Sequence, residues 1–216
     1  VLASLPSVSD LVERIEPAVV AISVESLTRG LFFEFTDGGA GTGMVVRADG
    51  YIVTNYHVVS DASQIKVNMP DGRSYDATLV GRDSLTDLAV VQIDAEDLPT
   101  VTFGDSDRVR VGDWVVAVGN ALSLRGGPSV TMGIISARGR TANTERGTLY
   151  DMIQTDAAIN DGNSGGPLVD MKGRVIGINT AMLRQAQGIG FAISSAVAAP
   201  IINALIEKGY VVRPLI

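Results

Sequence analysis

The chain has 216 residues, of which 46% are hydrophobic and 19% charged, a balance typical of a folded globular protein rather than a disordered one. It has no cysteine and a single histidine, which excludes disulfides, thiolate metal sites and multi-histidine metal sites. The formal net charge is −7 and no stretch is dense in Lys or Arg, so the sequence lacks the basic footprint of a nucleic-acid-binding protein. We therefore expect no metal, no other cofactor and no nucleic-acid partner.

The first predicted element is a short helix over Ser7–Glu16, with Ser9 and Asp10 as capping candidates and Pro17 at its end. Short apolar runs between turn residues then predict strands at Ala18–Val24, Gly43–Val46, Tyr51–Thr54, Gln64–Met69, Leu88–Ile93, Trp114–Val118, Thr131–Ser136, Val175–Asn179 and Gly190–Ile193. Their separations of about 8–15 residues favour antiparallel barrels over alternating strands and helices. The predicted fold class is therefore all-β.

The centre and the C-terminal end of the chain carry two further signals. A turn-rich stretch at Leu98–Asp107 is a candidate boundary between two barrels. After the last strand, a helix is predicted to begin at Ser194 or Ser195 and to end at Gly209. The residues predicted to share one face of this helix are Val197, Ile201, Ala204 and Leu205.

The only histidine, His57, lies where the predicted strand Tyr51–Thr54 gives way to polar residues. An imidazole titrates near neutral pH and can transfer a proton, so His57 is a candidate general base. A single histidine often serves only a structural role, however, and the residue by itself leaves both interpretations open.

The second candidate is Ser164, in a glycine-rich run that begins at Asn160 and continues through Leu168. Small neighbours let the backbone bend sharply, expose a hydroxyl and aim successive N–H groups into one concavity. Such donors stabilise a developing oxyanion, and the loss of one costs about 2.7–4 kcal/mol of barrier. The alternative is an ordinary hairpin turn, in which Asn, Asp, Gly and Ser are common.

A serine hydroxyl is a poor nucleophile unless a base accepts its proton and a third group orients that base. Asp87 is the natural orienting group, because it stands at the head of the strongly apolar strand Leu88–Ile93, where a carboxylate would be partly buried. Burying a charge is costly unless the charge is paired, and an imidazole N–H would pair it. The alternative is a solvated carboxylate at a strand edge.

The order of this histidine, aspartate and serine, and the motifs around them, resemble the trypsin-like serine proteases of the HtrA (Deg) family. Thr54–Val58 is similar to the family's histidine motif, Leu85–Val90 to its triad-aspartate strand, and Gly162–Leu168 to its nucleophile loop. Further similar segments, which extend the resemblance over nearly the whole chain, are Gly41–Met44, Gly104–Asp107, Val111–Val115, Val118–Asn120, Val130–Ser136, Gln154–Asn160 and Gly188–Ile193.

The resemblance implies a chymotrypsin/trypsin-like fold of two perpendicular six-stranded β-barrels, with short N-terminal and C-terminal helices and the active site in the cleft between the barrels. On this basis residues 1–216 form one protease domain, with an N-terminal barrel over about 17–100, a C-terminal barrel over about 101–194 and a C-terminal helix over about 195–209. Family members usually carry PDZ domains after the protease, so we expect this chain to be a protease domain without its PDZ domain. The resemblance also implies a homotrimer and an extracytoplasmic location, whether periplasmic, membrane-associated or secreted.

The resemblance assigns the site as well. His57, Asp87 and Ser164 would form a catalytic triad, and the N–H groups of Gly162 and Ser164 an oxyanion hole. The residues that would line the specificity pocket are Ala158, Ile159, Asn179, Thr180 and Ile189. No carboxylate lies among these pocket positions, which predicts small or medium aliphatic side chains before the scissile bond. For both isoleucines, packing in a barrel core is an equal alternative.

The implied function is hydrolysis of peptide bonds in unfolded or misfolded proteins, in protein quality control. Two alternatives remain: a catalytically silent binding scaffold on the same fold, and a digestive-type protease that acts on folded substrates. The loops Arg138–Thr148 and Ala181–Gly188 are predicted to be mobile, because loops at these places switch between inactive and active states in the family. Where relatives often carry Pro before Gly-Asn-Ser, this chain has Asp161.

Overall fold

The computed structural model describes residues 7–29, 34–120, 127–144, 147–160, 162–182 and 188–213. Its helices are α1 (Val8–Ile15), α2 (Tyr56–Val59) and α3 (Ser195–Lys208), with short 3-10 turns at Glu16–Ala18 and Ser106–Arg108. Its strands are β1 (Val19–Arg29), β2 (Glu34–Val45), β3 (Tyr51–Asn55), β4 (Gln64–Asn68), β5 (Ser74–Asp83), β6 (Leu88–Ile93), β7 (Thr102–Phe103), β8 (Trp114–Gly119), β9 (Ser129–Thr144), β10 (Gly147–Thr155), β11 (Pro167–Asp170), β12 (Arg174–Met182) and β13 (Gly190–Ser194).

The first six strands close into a barrel in the order β1-β2-β3-β6-β5-β4. Two of its neighbouring strands, β3 and β6, are apolar and β-branched, and both are buried along almost their whole length. Gly43 on β2 faces the barrel interior, where a Cβ would stand 2.8 Å from atoms of both Ile22 and Ile52. Only glycine therefore lets these two core side chains meet.

The remaining strands form a second sheet in the order β11-β8-β9-β10-β13-β12-β7. A further pairing of β11 with β12 closes its first six strands into a ring, and the short β7 pairs in parallel with β12 as a seventh strand. The predicted all-β fold of two barrels is confirmed. The second barrel differs from the predicted six strands only by this added edge.

Four strands were not predicted from the sequence: β5, β7, β10 and β11. Strands β7 and β11 are only two and four residues long, and β5 is largely solvent-accessible along its length. In the first loop predicted to be mobile, Arg138–Thr148, the residues Arg138–Thr144 continue β9 and pair with β10. Residues 183–187 of the second predicted loop lie outside the described residues.

The helix ends follow local capping chemistry. The cap of α1 is Ser7, whose hydroxyl accepts from the Asp10 N–H at 3.2 Å, so the predicted caps Ser9 and Asp10 are wrong by two to three residues. Ser194 caps α3 by accepting from the Val197 N–H at 3.3 Å, and Gly209 ends that helix with a φ of 80°.

The fully buried line of α3 lies one residue from the predicted face. Its buried residues are Ser195, Ala198, Ile202 and Leu205, while the predicted Val197 and Ile201 are half-buried against the same core. This line lets α3 pack against β5 and β6 of the first barrel and β12 of the second. A single apolar cluster accordingly contains residues of both barrels, for example Ile52, Val116, Ile178 and Leu205, and it holds the two barrels against each other.

Candidate active site

His57 lies on the short helix α2, directly after β3. Its side chain is 15% exposed and that of Asp87 11%, and their contact is short: His57 Nδ1 lies 2.8 Å from Asp87 Oδ2 and 3.1 Å from Oδ1. An ionised carboxylate can only accept hydrogen bonds, so Nδ1 carries the proton and Nε2 is left as the basic nitrogen. The His57 backbone N–H also donates to Asp87 Oδ1 at 3.0 Å, which fixes the ring's own segment to the same carboxylate.

Asp87 is presented by the turn between β5 and β6. Its backbone has a φ of 57°, a left-handed conformation that aspartate tolerates better than most residues. Its carbonyl accepts from the Tyr56 N–H and from Asn55 Nδ2, each at 3.0 Å, while the Thr180 hydroxyl donates to its carboxylate. Since Thr180 lies on β12, Asp87 is tied to both barrels.

Ser164 lies at the other side of the cleft, in the loop between β10 and β11. The buried Asn163 holds this loop together: its Nδ2 donates to the Ala158 carbonyl at 2.9 Å and its Oδ1 accepts from the Asn160 N–H at 3.0 Å. Gly165 follows with a φ of 86°, and a Cβ there would stand 2.2 Å from the carbonyl oxygen of Thr42. The loop after Ser164 therefore requires glycine.

Thr180 connects the Ser164 hydroxyl to Asp87. The Ser164 oxygen lies 3.3 Å from the Asn160 carbonyl and 3.4 Å from the Thr180 carbonyl, which share its single proton, while the hydroxyl of the same threonine donates to Asp87. Within the described residues, Ser164 and His57 are not joined by a hydrogen bond. The structure thus places His57 directly against Asp87 and links Asp87 to Ser164 through Thr180.

The two predicted oxyanion-hole amides differ. The Gly162 N–H donates to Asn160 Oδ1 at 3.0 Å, whereas the Ser164 N–H has no hydrogen-bond partner in the described part of the chain. Asp161, which precedes Gly162, lies outside the described residues. In this conformation one of the two amides is free for an incoming oxygen and the other is occupied by a side chain.

The predicted pocket residues divide into two groups. Ala158 is exposed and Ile189 half-buried, so both remain accessible. Ile159 is 3% exposed and packs in the core of the second barrel, which is the alternative considered for it. Asn179 is fully buried, and its Nδ2 donates to the Pro167 carbonyl at 3.1 Å, so its side chain supports the nucleophile loop.

Thr42 on β2 is a functional candidate that the sequence interpretation missed. Its hydroxyl donates to the Gly162 carbonyl at 2.9 Å and accepts from the Asn120 N–H at 2.7 Å, and its own N–H donates to the Ser164 carbonyl at 2.9 Å. It is fully buried. The only signal for it was the Gly41–Met44 segment that matches the family outside the catalytic motifs.

Comparison with known proteins identifies the family of the chain. The family model of the trypsin-like peptidase domain matches residues 41–178. The chain is 51% identical over 180 residues to a probable periplasmic serine endoprotease DegP-like of Chlamydia trachomatis serovar D, covering 82% of this chain and 36% of that protein. It is 48% identical over 179 residues to the putative serine protease HhoB of Synechocystis sp., covering 82% of this chain and 42% of that protein.

Solved structures match over almost the whole chain. The HtrA-type protease AlgW with tripeptide superposes with a TM-score of 0.84 at 45% identity, covering 95% of this chain and 65% of that one. The serine endoprotease from Yersinia pestis superposes with a TM-score of 0.78 at 43% identity, covering 99% and 70%. The chain spans little more than a third of the length of the DegP-like relative. The chain belongs to the trypsin-like peptidase family, in its HtrA (DegP-like) branch, and forms a serine endopeptidase domain.

Proposed function

We propose that the chain hydrolyses peptide bonds of unfolded proteins through an acyl-enzyme formed on Ser164. The observation that carries this proposal is the buried contact of 2.8 Å between His57 Nδ1 and Asp87 Oδ2, in the same cleft as Ser164. A carboxylate on Nδ1 fixes the tautomer in which Nε2 is a base and stabilises the imidazolium that forms when Nε2 accepts a proton.

The proposed reaction begins when His57 Nε2 takes the proton of the Ser164 hydroxyl and the Ser164 oxygen attacks the peptide carbonyl. The carbonyl oxygen then carries the negative charge, which the N–H groups of Ser164 and Gly162 would stabilise. His57 next gives its proton to the leaving amine, and a water molecule hydrolyses the acyl-enzyme by the same route.

Two local changes would complete this site. The Ser164 hydroxyl would leave the carbonyls of Asn160 and Thr180 and donate to His57 Nε2. The Gly162 N–H would exchange Asn160 Oδ1 for the substrate oxygen. Both groups are already in the cleft, and catalytic hydrogen bonds of free enzymes often tighten only when substrate binds.

For specificity, we infer a preference for small or medium aliphatic residues before the scissile bond. The accessible pocket residues Ala158 and Ile189 are uncharged, so the pocket offers no partner for Lys or Arg. A panel of peptides that vary at this position tests the inference, and faster cleavage after Lys or Arg would contradict it.

The relatives named as periplasmic serine endoproteases support an extracytoplasmic location, and the proposed role in protein quality control rests on the family resemblance. No helix in the described ranges is long and apolar enough to span a membrane. The family resemblance further supports a homotrimer and a PDZ domain in the full-length protein. Light scattering on a size-exclusion column measures the first of these, with a trimer mass expected.

The function is tested by comparing denatured casein with a compact native protein as substrates for the chain and for Ser164→Ala. We expect casein to be cleaved and the native protein to be spared, and Ser164→Ala to cleave neither while remaining folded. Casein cleavage by Ser164→Ala would exclude the proposed nucleophile. Equal cleavage of both substrates by the unmodified chain would favour a digestive-type protease.

A further inference from the structure

Arg213, which follows α3 near the end of the chain, forms a two-pronged ion pair with Asp83. Its two terminal nitrogens lie 2.8 Å and 2.6 Å from the two carboxylate oxygens. The Asp83 side chain is 7% exposed and that of Arg213 37%. Because the geometry is bidentate and one partner is buried, this pair is held more firmly than an ordinary surface ion pair.

Asp83 also forms a hydrogen bond within the turn that carries Asp87. Its carboxylate accepts from the hydroxyl of Thr86, one of the three residues between the end of β5 and Asp87. Burial would raise the pKa of Asp83, but the hydrogen bonds from Arg213 and Thr86 and the positive charge of Arg213 outweigh burial and lower it. Arg213 and Thr86 together thus stabilise the charged form of the Asp83 carboxylate.

The position of Arg213 is itself fixed by the first barrel. Gly209 ends α3 directly over β5, where a Cβ on Gly81 would stand 2.5 Å from the Gly209 carbonyl oxygen. The chain leaves the helix at this contact and Arg213 reaches Asp83 four residues later. The segment after α3 is therefore anchored to the same strand that leads into the Asp87 turn.

We propose that Arg213 is a positioning residue for Asp87, which it acts on through Asp83 and the turn at residues 84–87. This role rests on the proposed function of the His57–Asp87 pair. The left-handed backbone of Asp87 is a conformation that its surroundings must hold, and the Asp83 carboxylate is one of the groups that hold it. Loss of the ion pair between Arg213 and Asp83 would let the Asp87 carboxylate move relative to the imidazole. The segment after α3 would thereby affect the rate of proteolysis.

The test compares Arg213→Gln and Arg213→Lys with Arg73→Gln as a matched control. Arg73 also pairs with an aspartate, Asp71 at 2.7 Å, but at the opposite end of β5. For Arg213→Gln we expect kcat on a peptide substrate to fall about tenfold with KM changed less than about twofold, because orientation of the base is lost and substrate contacts are not. Arg213→Lys should recover part of kcat, since it restores the charge without the fork, and Arg73→Gln should behave like the unmodified chain.

A second readout does not depend on activity. His57 is the only histidine, so the proton NMR signal of a histidine Nδ1–H has a single source. We expect this signal to be sharp in the unmodified chain and in Arg73→Gln, and to broaden through faster exchange with water in Arg213→Gln. If Arg213→Gln does not fold, Thr86→Val, which removes the other side-chain donor to Asp83, is measured in the same way with a smaller change of the same sign expected.

The outcomes separate the two proposals. An unchanged kcat and an unchanged Nδ1–H signal in folded Arg213→Gln overturn the positioning role, whatever the unmodified chain does. Loss of kcat in Arg213→Gln and Arg73→Gln alike also overturns it, because the effect would then be one of general stability. An unmodified chain that shows the Nδ1–H signal but cleaves no peptide contradicts the proposed function, while broadening of the signal in Arg213→Gln would still support the positioning role.

Discussion

The two halves of the candidate site are built in different ways. His57 and Asp87, which we call the strand-borne half, lie directly after β3 and directly before β6, two neighbouring strands of the first barrel that pair in full register. Ser164 and its loop, which we call the loop-borne half, keep their shape chiefly through hydrogen bonds of the Asn160 and Asn163 side chains. In the first half the contact between His57 and Asp87 is therefore already made, whereas in the second the Ser164 hydroxyl lies against the Asn160 and Thr180 carbonyls and the Gly162 N–H binds the Asn160 side chain. A site assembled from a strand-borne half and a loop-borne half can be switched through the loop alone.

The largest effect is expected from breaking the strand-borne half. Asp87→Asn keeps the side-chain shape but presents an amide to His57 Nδ1, which favours the wrong imidazole tautomer and removes the charge that stabilises the imidazolium. We expect kcat to fall by about 10⁴, with KM little changed and the fold intact. Peptide hydrolysis measures kcat and KM, and circular dichroism checks the fold. A loss of less than about tenfold would show that Asp87 does not orient the base.

The next largest effect is expected from removing the Asn163 side chain, which forms two hydrogen bonds within the loop-borne half. Asn163→Ala leaves the Asn160 N–H without its partner and the Ala158 carbonyl with the Thr131 hydroxyl as its remaining donor. We expect the free energy of unfolding to fall by about 1–3 kcal/mol, and kcat to fall more than this loss of folded protein explains. Urea unfolding and single-substrate kinetics are the measurements. A fall in kcat that the loss of folded protein fully explains would mean that Asn163 supports the barrel and not the site.

A smaller effect of opposite sign is expected for Asn160→Ala. This change frees the Gly162 N–H from the Asn160 side chain, while the Asn160 carbonyl and the rest of the loop keep their partners. If the occupied amide limits the reaction, kcat rises, and by no more than the roughly 10²–10³ that one oxyanion donor supplies. A fall in kcat would mean instead that the Asn160 side chain supports the active shape of the loop.

The smallest effect concerns the acid stability of the strand-borne half. The pKa of Asp83 is lowered in the folded chain, so its pair with Arg213 adds stability above the unfolded pKa of about 3.9, and this stability is lost as the pH falls through the lower folded value. The difference in melting temperature between the unmodified chain and Arg213→Gln should accordingly shrink below about pH 4. A constant difference from pH 7 down to pH 3 would contradict the assigned charge state.

The sequence predicted the fold class and the positions of most strands because apolar runs between turn residues are local signals. It missed β5, although Ser74–Leu79 alternates polar and apolar residues, because the strand is largely exposed; it also placed the buried face of α3 one residue away. The three candidate catalytic residues were proposed from their motifs, and the structure shows the contact between two of them, His57 and Asp87. Thr42 and Arg213 were missed because their roles arise from contacts with residues that are distant in sequence, Gly162 and Asp83.

The central claim is that Ser164 is a nucleophile activated by His57. It is tested most directly by reacting the chain, His57→Ala and Ser164→Ala with a fluorophosphonate and locating the adduct by peptide mass spectrometry. The claim predicts one adduct on Ser164 in the unmodified chain and none in either variant. An adduct on another serine, or equal labelling of Ser164 when His57 is replaced, would contradict it.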